Sequence, residues 1–179
     1  MMKRLTYLLL AAIVLLSSCT KEERELMYAK QETLIETFLG RQNPDGDLRV
    51  VHNGGATRLV MVEGEGMELT ARGKAQVYFA AYNFSSGTVS SSNLVATNSR
   101  DMASSASWTL TDPVYDALEI DMGDKGLLQG LREGLVGVRE GEDCYILFSG
   151  KYAFGKSKTG TIPANAPLAF RIWVLSVEN

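Results

Sequence analysis

The chain has 179 residues, a formal charge of −3 and 45% hydrophobic residues, which suits one well-cored domain plus a leader or anchor segment. An acidic chain without basic runs argues against binding nucleic acid. A single histidine, His52, and two cysteines, Cys19 and Cys144, leave no Ser-His-Asp, Cys-His or multi-histidine zinc constellation to assemble.

Lys3 and Arg4 precede the apolar run Leu8–Leu16, which is well short of the roughly 20 residues needed to span a bilayer. It ends in Leu16-Ser17-Ser18-Cys19, which resembles a bacterial lipobox. Residues 1–18 are therefore expected to be an export signal. Cys19 is expected to carry the lipid that holds the protein to a membrane, since more than one acyl chain gives stable anchoring. Thr20-Lys21-Glu22-Glu23 lacks the aspartate that retains lipoproteins in an inner membrane, so the expected location is the cell envelope, at the outer membrane. With Cys19 acylated, Cys144 has no disulfide partner and reads as a buried small hydrophobe.

Residues 19–47 form the anchor segment and an N-terminal helix. From Lys21 to about Leu39 the sequence is dense in helix formers, with Met27, Leu34, Ile35 and Phe38 near one face. Thr20 is a candidate N-cap and Gly40 a candidate stop. This helix is either a spacer from the membrane or a lid on the domain, and its apolar stripe favours packing. Asn43-Pro44-Asp45-Gly46 reads as a turn.

From Leu48 the pattern changes to strands. Candidates are 58–62, 76–82, 108–110, 118–122, 143–149 and 168–177, with a turn at Ser85-Ser86-Gly87. Residues 85–107 are rich in Ser, Asn, Thr and Ala and read as a surface excursion, the larger part of a long loop at 88–117. Leu127, Leu128, Leu131 and Leu135 give one apolar face of a short helix. Strands flanking one short helix without a βαβ rhythm indicate an α+β fold with an antiparallel sheet.

Gly150-Lys151-Tyr152-Ala153-Phe154-Gly155-Lys156-Ser157 satisfies the Walker A spacing. A phosphate-binding loop must open a helix, and Thr159-Gly160-Thr161-Ile162-Pro163 cannot start one. No nucleotide is expected.

The C-terminal third carries Gly130-Leu131-Arg132-Glu133-Gly134-Leu135, then Gly141-Glu142, Tyr152-Ala153-Phe154-Gly155, Ile162-Pro163-Ala164-Asn165-Ala166-Pro167-Leu168 and Phe170-Arg171-Ile172. This order resembles the FKBP-type peptidyl-prolyl cis-trans isomerase domain, best over 118–179 and acceptably over 58–87. The resemblance implies an FKBP-like antiparallel sheet curved around one short helix over 48–179, with the N-terminal helix as an addition. It implies X-Pro bond rotation in exported proteins, with no cofactor or metal, and proline-containing segments as partners.

The resemblance carries the pocket over with losses. Phe170 matches the last-strand aromatic. Leu127 and Leu128 match the aliphatic pair before the helix, with the Leu128 N–H as donor to a substrate carbonyl, and Ile162 matches the aliphatic wall. Leu131 replaces a tryptophan floor, Leu118 replaces a phenylalanine, and Phe154 replaces a tyrosine and its hydroxyl. The first-strand tyrosine falls on Ala80, leaving Tyr78 or Tyr82 as substitutes. The Phe-Asp pair falls on Val89-Ser90 or Val95-Ala96, with no aspartate in either register. The expectation is thus an isomerase with an eroded site; the alternative is a non-catalytic FKBP-like chaperone or peptide-binding lipoprotein. A third reading is a structural lipoprotein with no peptide ligand, in which the 88–117 loop folds over the cleft and Trp108 fills it.

Overall fold

Helix α1 (Met2–Gln42) opens the computed structural model, which describes residues 2–108 and 115–179, with side chains from residue 21. Neither of the expected boundaries holds: the helix runs unbroken through Thr20 and through Gly40. An added Cβ at Gly40 would meet nothing within 4 Å, so this glycine sits on an open face where it weakens the helix without ending it. The end comes at Asn43-Pro44, because the residue before a proline is driven out of the α region. The Asn43 amide then bonds both backbone groups of Leu48, at 3.0 Å each. Among the described residues, no helix is long and apolar enough to cross a membrane.

The strands are β1 (Val50–Asn53), β2 (Ala56–Val62), β3 (Lys74–Asn83), β4 (Leu94–Thr97), β5 (Leu118–Asp121), β6 (Asp143–Phe148) and β7 (Leu168–Glu178). They make one antiparallel sheet in the order β1-β2-β6-β7-β3-β4, and β5 also pairs with β3. This is the α+β arrangement expected from the strand pattern. Helix α2 (Arg100–Ser105) follows β4, and α3 (Gln129–Leu135) precedes β6.

The alternation of side chains along each strand divides the interior into two cores. On the face toward α3 lie Ala75, Val77 and Ala81 of β3, Cys144, Ile146 and Phe148 of β6, and Leu168, Phe170, Ile172 and Val174 of β7. We call this face concave. Helix α3 reaches it through glycines: a Cβ on Gly130 would come 2.2 Å from the Phe148 ring, and one on Gly134 2.2 Å from Ile146. The opposite, convex face carries Ala80, Tyr82, Leu147 and Ala169, and α1 covers it with Ile35, Phe38 and Leu39. Phe38 makes T-shaped contacts with Phe84 and Tyr145, at 5.4 and 5.5 Å. The helix therefore packs on the domain, on the side away from α3.

The described part of 88–117 is more structured than a loop. It holds a 3-10 turn (Ser91–Asn93), β4 and α2. Between β4 and β5 the edge of β3 is finished by a side chain. Asn98 accepts the Phe79 N–H at 2.7 Å and donates to the carbonyls of Val77 and Asp116 at 3.1 and 3.0 Å. The expected strand at 108–110 lies outside the described residues except for Trp108, which is in no element.

Candidate functional site

At the centre of the concave face, the Phe170 ring stacks on Phe148 at 5.8 Å and lies 6.3 Å from Phe79. Phe170 is 8% exposed and Leu131 beside it 7% exposed, so both form a packed floor. Phe79, Val95, Leu127, Leu128, Phe154 and Ile162 are half-buried against the same core. Strands β3, β4 and β7, the entry to α3 and the loop after β6 thus bring half-buried apolar side chains together around the core that holds Phe170, and we refer to this apolar surface as the cleft. Leu118 shares the face of Ile120 on β5 but is 46% exposed. It is an open apolar residue outside the packed ring.

Leu128 sits at the N-cap position of α3 with φ −54° and ψ 136°. Its carbonyl accepts the Arg132 N–H at 2.9 Å, while its own N–H meets no acceptor among the described residues. The cleft thus presents a backbone donor at the rim of an apolar floor. Phe154 brings a ring to the opposite wall without a hydroxyl.

Two expected pocket residues do not reach this cleft. Ala75, Val77, Phe79 and Ala81 are the β3 residues on the concave side, so Tyr78, Ala80 and Tyr82 fall on the other face. Tyr82 is buried in the convex core and its hydroxyl donates to Met102 Sδ at 3.5 Å; burial also pushes its pKa up. Tyr78 lies beside Ser99, Arg100, Asp101 and Tyr115. The β3 aromatic at the cleft is Phe79, which the sequence reading missed. The signal was present, because Ala75 and Val77 alternate in phase with Phe79 and out of phase with both tyrosines. Val95 takes the place nearest the cleft and Val89 packs on the convex core. Trp108 packs on the convex core and shares a recess with Val95 and Thr161, and it is not among the side chains packed against the Phe170 core.

The loop after β6 carries Phe154 and Ile162. It is closed by Gly155 N–H to Gly150 O at 3.0 Å, Asn165 N–H to Gly155 O at 2.5 Å, and a Thr159–Ile162 pair at 3.0 and 2.9 Å. The Walker-like segment therefore runs into tight turns and a small hairpin, with no helix after it.

At the other end of α3, the buried Arg58 side chain donates to the carbonyls of Gly134 and Val136, at 2.9 Å each. It pairs with the fully buried Glu142 carboxylate at 3.2 Å. Burial raises the Glu142 pKa against the opposing pull of Arg58 and Arg49. Cys144 next to it is fully buried, and burial raises its thiol pKa well above the ordinary value, as suits a core residue.

The family model for FKBP-type peptidyl-prolyl cis-trans isomerases matches residues 104–175. No curated protein matches the sequence. Among solved structures, the three FKBP domains of wheat FKBP73 are similar at 15% identity and TM-score 0.57, covering 73% of this chain and 50% of that one. FkpA from Escherichia coli is similar at 16% identity and TM-score 0.57, covering 95% of this chain and 70% of that one. A peptidyl-prolyl cis-trans isomerase from Pseudomonas syringae pv. tomato is similar at 15% identity and TM-score 0.56, covering 84% and 95%. The chain spans half the length of the wheat protein, and at these identities the likeness fixes the fold: it is FKBP-like.

Proposed function

We propose that this protein binds proline-containing segments of exported polypeptides in the Phe170 cleft and rotates their X-Pro bonds, at a rate reduced by the missing polar groups. The observation that carries the reading is the Phe170 ring, stacked on the buried Phe148 and surrounded by half-buried apolar side chains, with a Leu128 N–H that meets no acceptor among the described residues. The rotation barrier of ~18–20 kcal/mol comes from amide resonance. A site lowers it by binding the twisted amide better than the planar one. A dry apolar floor disfavours the charge-separated planar form, and a backbone donor holds a substrate carbonyl while the prolyl bond turns. Neither step calls on a cofactor.

We place this activity on a tether. Leu16-Ser17-Ser18-Cys19 supports a lipid on Cys19 and a location in the cell envelope, at the outer membrane. Mass spectrometry of the protein isolated from membranes is expected to find an acylated Cys19 at the N-terminus.

The test of the cleft is a proline-isomerisation assay with the full chain in detergent. Wild type is expected to accelerate cis-trans exchange of an Ala-Leu-Pro-Phe peptide, and Phe170→Ala to lose that acceleration while still folding. Peptide binding without acceleration would make the protein a binding module instead, and neither binding nor acceleration would remove the reading.

A further inference from the structure

We propose that Gln31 of α1, assisted by Tyr28, is a positioning residue for the cleft. It clamps the two ends of loop 149–167, so the helix on the convex face fixes the wall that carries Phe154 and Ile162. The consequence for peptide binding rests on the function proposed above; the clamp itself does not.

Gln31 lies in the buried stripe of α1 with Ile35, Phe38 and Leu39, and is only 8% exposed. Burying an amide costs free energy unless its donor and acceptor are both used. Here both are used, and on opposite ends of one loop. Oε1 accepts the buried Gly150 N–H at 2.8 Å, and Nε2 donates to the Asn165 carbonyl at 2.8 Å. The Tyr28 hydroxyl donates to Asn165 Oδ1 at 2.7 Å.

The two loop ends are in close contact. A Cβ on Gly150 would fall 2.1 Å from the Asn165 carbonyl oxygen, and Asn165 holds a left-handed φ of 58°, a conformation that needs support outside glycine. Asn165 N–H in turn bonds Gly155 O at 2.5 Å, and Gly155 N–H bonds Gly150 O at 3.0 Å. Gln31 closes this cycle, and Phe154 is the residue before Gly155. A leucine at position 31 would serve docking of the helix equally well. Only an amide of this length ties both ends of the loop to a helix that Ile35 and Phe38 already anchor to the sheet.

The test uses the full chain in detergent, with hydrogen exchange read by mass spectrometry and binding of an Ala-Leu-Pro-Phe peptide. In Gln31→Leu, exchange over 150–165 is expected to rise about tenfold relative to the rest of the sheet, the scale of one or two lost hydrogen bonds. Peptide affinity is expected to weaken about fivefold, through KM rather than kcat. The isosteric Tyr28→Phe should give the same pattern at smaller size. Phe38→Leu, which trims ring packing but keeps an apolar anchor and the amide, should lower Tm without raising exchange over 150–165 relative to the rest of the sheet and without changing affinity.

Loop exchange equal to wild type in Gln31→Leu, or raised evenly with the whole sheet, overturns the clamp. Faster loop exchange with unchanged peptide affinity overturns the positioning role. A wild type that binds no prolyl peptide removes the functional reading alone, and the exchange measurements still decide the clamp.

Discussion

The two faces of the sheet are completed in different ways. On the convex face the long helix α1 lays Ile35, Phe38 and Leu39 over Leu59, Leu147 and Ala169, and the Tyr82 hydroxyl bonds Met102 Sδ. The concave face is covered by the short helix α3. It sits on Phe148 and Ile146 through two glycines, and Arg58 meets Glu142 in the interior. Around the entry to α3, Leu127, Leu128, Phe154 and Ile162 remain half-buried against the core that holds Phe170. On the function proposed above, the half-buried residues of the concave face are the ones a ligand would meet. Apart from the Gln31 clamp, substitutions on the two faces should therefore separate stability from binding.

The largest effect is expected on the convex face. Phe38→Ala removes two ring contacts and opens a cavity beneath α1, which should cost about 3–5 kcal/mol in urea unfolding. Peptide affinity per folded molecule should hardly change. A loss of affinity as large as that of Phe170→Ala would break the division between the faces.

Next in size is Glu142→Ala, which leaves the buried Arg58 with neither a partner nor a packed neighbour at that site and should cost about 3 kcal/mol near neutral pH. The isosteric Glu142→Gln, which imitates the protonated carboxyl that burial favours, should cost less. Either substitution should also change how stability depends on pH. Burial raises the folded-state pKa of Glu142, so just above the ordinary carboxylate range the folded protein keeps a proton that the unfolded chain has released. Stability should decline as pH rises from the unfolded value through the raised folded one, then level off. Unfolding free energies across that interval should show this slope in wild type and lose it in Glu142→Gln.

A smaller effect is expected at the cleft rim. The Leu128 φ of −54° suits a proline ring, and its N–H has no acceptor among the described residues. Leu128→Pro should thus remove the donor with little change in stability. Affinity for an Ala-Leu-Pro-Phe peptide should fall about tenfold, whereas Leu128→Ala, which keeps the N–H, should lose less. Equal losses in the two variants would transfer the role from the backbone to the side chain.

The concave face was easier to read in the sequence than the convex one. Glycines, prolines and alternating apolar residues between Gly130 and Phe170 set the turn chemistry, the helix approach and the last strand, and those constraints are local. Positions that depend on distant partners were not legible. Gln31 breaks an apolar stripe and looks like a surface residue until Gly150 and Asn165, far along the chain, arrive to use both ends of its amide. Asn98 lies in a Ser- and Asn-rich stretch that reads as loop, yet it completes the edge of β3. The tyrosines of β3 were misassigned for a nearer reason. A one-residue change in register moves a side chain to the other face of a sheet, and matching a family's tyrosine to Ala80 drew attention to the wrong phase.

The smallest effect expected is a gain. Phe154 is half-buried against the Phe170 core, next to Gly155 in the loop that Asn165 closes, so Phe154→Tyr adds an oxygen to a ring that the loop already holds in place. A hydroxyl there stands at the margin of an apolar floor, where a hydrogen bond to a substrate carbonyl is worth about 0.5–1.5 kcal/mol. That corresponds to roughly two- to tenfold in affinity or in kcat/KM. A change in KM alone would mean that planar and twisted amides are held equally, and a rise in kcat would mean that the bond forms mainly to the twisted one. The same hydroxyl added on the convex face, by Phe84→Tyr, would be fully buried and should only destabilise. The sign of the two Phe→Tyr changes therefore distinguishes a face that meets a ligand from one that serves packing.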